Sequence, residues 1–169
     1  MGKNCQAIPL REQGIRTGGV KGATLLAGAV TALREALFVR TRNHHPVQWA
    51  TNLNNLAIAP RIQGSRTKGA KGVEFLDQAV TAYRNALTVL TREDHPVDRS
   101  DTTYDMAIAE LAIADQNTIV SPRPHIEMAL EHSEGALTVF DPDQMPVHNQ
   151  KATALRDDIK SRLDALSDD

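Results

Sequence analysis

Arg61-Ile62-Gln63-Gly64-Ser65-Arg66-Thr67-Lys68-Gly69-Ala70-Lys71-Gly72 opens a stretch, ending at Glu110, that decides the fold, because residues 11–60 spell nearly the same text. Laid one over the other without a gap, the two stretches agree at half their positions. Arg11-x-Gln13-Gly14 returns as Arg61-x-Gln63-Gly64, and Lys21-Gly22 as Lys71-Gly72. Ala29-Val30-Thr31-Ala32 returns as Ala79-Val80-Thr81-Ala82, and His45-Pro46-Val47 as His95-Pro96-Val97. A period of this length indicates like units stacked on one another rather than one closed core. The phase persists outside the two good copies: Ala136-Leu137-Thr138-Val139 repeats Ala86-Leu87-Thr88-Val89, and Pro146-Val147 repeats Pro96-Val97. The chain therefore divides, as one array over 1–169, into a partial helix (4–14), a unit over 17–64, a second over 67–116, a degraded third over 122–142 and a capping helix over 145–167.

The composition points to helices. Apolar residues make up 41% but aromatics only 4%, so Ala and Leu carry the interior, which suits closely packed helices better than a β-sandwich. A net charge of −2 provides no field to recruit nucleic acid or an anionic membrane. A single cysteine, Cys5, cannot form an intramolecular disulfide, which fits a reducing compartment. No apolar run reads as long enough for a signal sequence or a membrane span, and Gln6 stands where a myristoylation site needs Ser or Thr. The expectation is a cytoplasmic protein.

Apolar periodicity places the helices. Residues 4–13 read as a remnant containing Pro9 and ended by Gly14. Leu26, Ala29, Val30, Leu33, Ala36 and Leu37 form one helical stripe within 17–42, secure from about Ala23. Pro46 opens the next helix at its first position, with His45 or the residue before it in the N-cap place and Gly64 as its close. The cycle predicts further helices over 68–92 and 96–116. After the stiff Ser121-Pro122-Arg123-Pro124 connection it predicts a shorter one over 124–140 and a last one over 146–166. Ala29/Ala36 and Ala79/Ala86 lie seven apart, hence on one face, where small side chains let a neighbouring helix approach closely.

Leu56-Ala57, a large-then-small pair, and Ala79, Tyr83 and Ala86, a small-aromatic-small triplet, resemble the two helices of the tetratricopeptide repeat. With His45-Pro46 leading into Leu53-Asn54-Asn55-Leu56-Ala57, the form is similar to the long repeats of kinesin light chains and related bacterial arrays. The likeness departs at the connection from Gly64 to Val73, which is long, and in the third unit, which keeps fragments. It implies an all-α, right-handed α-α superhelix of about seven helices whose first helices line a concave groove for a peptide. The implied groove positions are Thr51, Asn54, Ile58 and Arg61, then Asp101, Tyr104, Ile108 and Leu111, with Asn4, Ile8 and Arg11 in the remnant. The competing reading of these residues is a solvated helix face.

No catalytic constellation is legible. Gly64-Ser-Arg-Thr-Lys-Gly-Ala-Lys71 suggests a phosphate loop, but Ala70 separates Lys71 from the glycine, Gly follows the lysine, and a helix precedes it. His125 and His132 are two turns apart, too far for a shared ion without further ligands, and His45 and His95 have a helix-start explanation. Ser133 sits at a small, packed position with no nucleophile elbow, and Cys5 has no activating partner. The sequence thus predicts a non-catalytic scaffold that binds a protein or peptide, without cofactor, metal, nucleic acid or membrane. The alternative is a structural protein that stacks or swaps helices with its own copies through the incomplete terminal repeats.

Overall fold

A computed structural model describes residues 4–17 and 19–167, with side chains from Ala7 onward. It is all-helical, and no strand occurs among the described residues. Seven helices follow in order: α1 (Asn4–Thr17), α2 (Gly19–Val39), α3 (Pro46–Arg66), α4 (Ala70–Leu87), α5 (Pro96–Ala114), α6 (Arg123–Leu137) and α7 (Pro146–Ala165). They pack as pairs, α1 with α2, α3 with α4 and α5 with α6, and α7 covers α6. The junctions α2/α3 and α4/α5 join one pair to the next, and α3 also touches α5 directly.

The fifty-residue period governs the local structure. Pro46, Pro96 and Pro146 each open a helix, where proline's fixed φ suits the first turn and its missing N–H costs nothing. The same turn precedes all three: His45 N–H donates to Thr41 O (2.9 Å), His95 to Thr91 O (3.1 Å) and Met145 to Asp141 O (2.7 Å). His45 and His95 occupy the N-cap place as expected, but neither side chain makes a capping hydrogen bond. At the second and third turns a side chain reaches back to the end of the preceding helix. Arg99 donates to Leu90 O (3.1 Å), and fifty residues on Asn149 donates to Phe140 O (2.7 Å). The residue at this place in the first turn is Trp49, which cannot reach in that way and instead carries the Arg42 guanidinium over its ring at 5.6 Å.

Two glycines predicted to end helices do not. α1 continues past Gly14 to Thr17, and α3 past Gly64 to Arg66. Their role is close approach. A Cβ on Gly64 would lie 2.5 Å from Leu76 Cγ and 2.8 Å from Gly72 O, and one on Gly72 would lie 2.1 Å from Thr67 O. In the first pair, a Cβ on Gly22 would lie 2.6 Å from Gly14 O. The glycines at 14 and 22, and again at 64 and 72, therefore let the two helices of a pair touch backbone to backbone. Gly19, the first residue of α2, and Gly69, at the N-cap of α4, hold positive φ (55° and 75°), which glycine adopts without strain.

The core moves forward one unit at a time. Ala57, Leu76, Ala79, Val80, Tyr83, Met106, Ala109 and Ile113 form one cluster; Ala107, Leu111, Ile126, Ala129 and Ile159 form the next. Ala57, Leu76, Ala79 and Ala109 of the first correspond to Ala107, Ile126, Ala129 and Ile159 of the second. Each helix pair thus buries its stripe against its neighbour, so a fully enclosed leucine such as Leu76 stabilises by about 2 kcal/mol only while that neighbour is present. The third unit, fragmentary in sequence, is regular in structure: Ala136, Phe140 and Ala152 are buried together with Tyr104 and Leu137 packed against them. α7 buries Ala152 and Ile159 and leaves its charged residues largely to solvent, as a capping helix would.

α2 differs from the expectation that no segment was apolar enough to span a membrane: by length and composition it is. It buries Gly22, Leu26, Ala29 and Leu33 in the helix stack.

Candidate functional site

Arginines fifty residues apart build a polar ladder across the first helices. Arg11 of α1 donates from Nη1 to Asn55 Oδ1 of α3, and Arg61 of α3 pairs with Asp105 of α5 at 3.5 Å. Each bond spans the same step, because Asn55 and Asp105 are themselves fifty residues apart. The next arginine position is Leu111 and its partner position Leu155, so the ladder ends there in an apolar contact within the second core cluster.

The Arg61–Asp105 rung is crowded and largely dry. Tyr83 of α4 is fully buried beneath it, with its phenol beside the Arg61 guanidinium. Burial raises the Asp105 carboxyl above the usual aspartate range, against the pull of Arg61 and Arg11. Burial likewise raises the Tyr83 phenol, reinforced by the Asp105 charge. For Arg61 burial works to lower the pKa, yet Tyr83 and Asp105 outweigh it and the net direction is up, so the cation persists. Tyr104, on the same helix as Asp105, is raised by burial and then by that carboxylate. One turn back along α5, Asp101 meets His148 of α7 at 3.8 Å, and burial raises its carboxyl too.

The structure brings some of the predicted groove residues together and separates others. Arg61, Tyr104 and Asp101 belong to the network just described. Asn54 is half-buried, and its Oδ1 has no hydrogen-bond partner; the same is true of Arg61 Nε. Thr51 is exposed and spends its hydroxyl on Val47 O of its own helix (2.9 Å). Ile58 and Leu111 are buried, while Ile108 is half-buried. Of the remnant positions, Ile8 is exposed and Arg11 holds the ladder's first rung; the side chain of Asn4, like that of Cys5, lies outside the described residues. The sequence reading missed Asn55 and Asp105. The signal was available: an arginine at two equivalent places, each forty-four residues before an amide or carboxylate.

A second polar cluster lies between α4, α5 and α6. Glu110, only 1% exposed, meets His125 Nδ1 at 2.7 Å and Arg84 at 3.8 Å. His132 stands near the same carboxylate; burial lowers its pKa, with Glu110 pulling the other way. Among the described residues no group of three His, Cys, Asp or Glu is placed to hold a metal ion. Lys71, the lysine of the loop-like stretch, pairs with Glu74 at 2.7 Å and lies over the Phe75 ring. No family model, curated protein or solved structure matches this chain.

Proposed function

We propose that the chain is a tetratricopeptide-type scaffold, cytoplasmic and non-catalytic, that binds a peptide or partner protein along the face built by α3 and α5. The observation that carries this reading is the pair of unsatisfied polar atoms on α3, Asn54 Oδ1 and Arg61 Nε. A polar atom withdrawn from solvent and left without a partner costs about 1–3 kcal/mol, and a polypeptide whose docking turns these two side chains outward recovers that cost, its N–H donating to Asn54 Oδ1 and its carbonyl accepting from Arg61 Nε–H.

The test is capture from a peptide array with the wild type and with Asn54→Ala plus Tyr104→Ala, followed by affinity measurement on the captured sequence. Binding that weakens tenfold or more in the double variant, at unchanged helicity, supports the reading. Equal binding by the variant removes this face from the account.

A second reading, self-association, has an observation of its own. Phe38 and Val39 at the end of α2 are 85% and 75% exposed, whereas Val89 and Val139, the equivalents of Val39, are half-buried. Light scattering at rising concentration separates the two readings: a dimer abolished by Phe38→Asp supports self-association, and a monomer throughout removes it.

A further inference from the structure

The junction between α2 and α3 holds a concavity of about 660 Å³, lined by Leu26, Val30, Ala59 and Ile62 together with Arg34 and Arg66. The same junction fifty residues later shows what this space lacks. There Val73 replaces Ala23, Ile113 replaces Gln63, and Ile119, in the turn after α5, packs onto the core where the first copy has only Gly69. Arg84, the equivalent of Arg34, has Glu110 as its carboxylate. The residue fifty places before Glu110 is Pro60, which lines a smaller concavity beside this one; Arg34 lines both, and the first junction has no carboxylate at that place. Neither Arg34 nor Arg66 meets a carboxylate among the described residues.

We infer that this concavity is a binding site for a small aliphatic carboxylate, its chain lying on Leu26, Val30 and Ile62 and its charged end on Arg34 and Arg66. The second junction carries the same chemistry within the chain: Ile113 and Ile119 pack on its core, and Glu110 pairs with Arg84. α3 already occupies the place that α5 holds there. α2 and α3 form the walls of the concavity, and a flexible acyl chain can follow the floor between them. The volume falls in the range of small-ligand sites, which are mostly apolar with a few polar groups that fix orientation. This inference stands apart from peptide binding on the α3–α5 face and survives its failure.

The test uses decanoate, with decyltrimethylammonium and decanol as equal-length cationic and neutral controls, titrated below their aggregation limits by calorimetry and followed by thermal unfolding. Saturable binding of one decanoate per chain with a rise in Tm is expected, each control binding at least about tenfold more weakly. Arg34→Gln together with Arg66→Gln weakens decanoate about tenfold or more and leaves decanol unchanged. Ala23→Trp, a bulky side chain in the lining, narrows the concavity and weakens decanoate about tenfold or more. Absence of saturable decanoate binding, equal affinity for the cation, or unchanged binding in the arginine variant overturns the inference. Should the Ala23→Trp variant fail to fold by circular dichroism, the arginine pair decides.

Discussion

α2 and α4 occupy the same place in the repeat and bury the same stripe, Gly22, Leu26 and Ala29 in one, Gly72, Leu76 and Ala79 in the other. Their outer faces differ. Glu74, Asp77 and Gln78 of α4 stand where α2 has Thr24, Ala27 and Gly28, and Thr88 stands where α2 has the exposed Phe38. The helices that pack on them differ in the same sense: α5 brings Ile113 and Glu110 to α4, but α3 brings Gln63 and Pro60 to α2. The comparison teaches that the repeated stripe makes the pair, while the residues outside the stripe decide whether the junction between pairs closes. One junction is filled and its arginine paired; the other is open and its arginines are not.

The largest expected effect contrasts the two stripe leucines. Leu76→Ala, in the closed junction, is expected to cost about 3 kcal/mol by urea unfolding, and Leu26→Ala, beside the open concavity, about half of that. Equal losses would break the distinction between the junctions. Next, Glu110→Gln removes the charge that serves His125 and Arg84, with a loss of about 2 kcal/mol expected in the same measurement. Gln63→Ile acts in the opposite direction: an aliphatic group in place of an amide in the lining of the open junction should stabilise by about 0.5 kcal/mol, whereas Ile113→Gln in the closed one destabilises.

The smallest effect is the pH dependence that His132 contributes. His132 titrates below its ordinary value of 6.5 because burial disfavours its charged form. The unfolded chain therefore takes up the proton first, so the stability His132 contributes is present above pH 6.5 and lost as pH falls through the lowered folded value. Unfolding midpoints at pH 7.5 and 5.5 should show the wild type losing ground to His132→Phe on acidification. A parallel decline in both would assign the dependence to other groups.

Much of the fold was legible. Pro46 and Pro96 with their histidines fixed where first helices begin, and the spacing of Ala29, Ala36, Ala79 and Ala86 gave the stripes. Helix ends were less legible, because Gly14 and Gly64 read as stops under a rule about isolated helices, whereas here they answer a neighbouring backbone. Of the site, Asn54, Arg61, Asp101 and Tyr104 could be named from a resemblance. That Asp105 and Asn55 complete the ladder depends on how far one helix is offset against the next.

By itself the sequence determined that like helical units follow one another at a fifty-residue period, since periodic apolar burial and proline or glycine punctuation are local properties that a chain carries in its text. Only the tertiary structure decided which units seal against each other, which arginines find a carboxylate and which glycines touch backbone. Those outcomes depend on distances between residues far apart in the chain, and a change of one methyl group or one charge at a junction is enough to alter them.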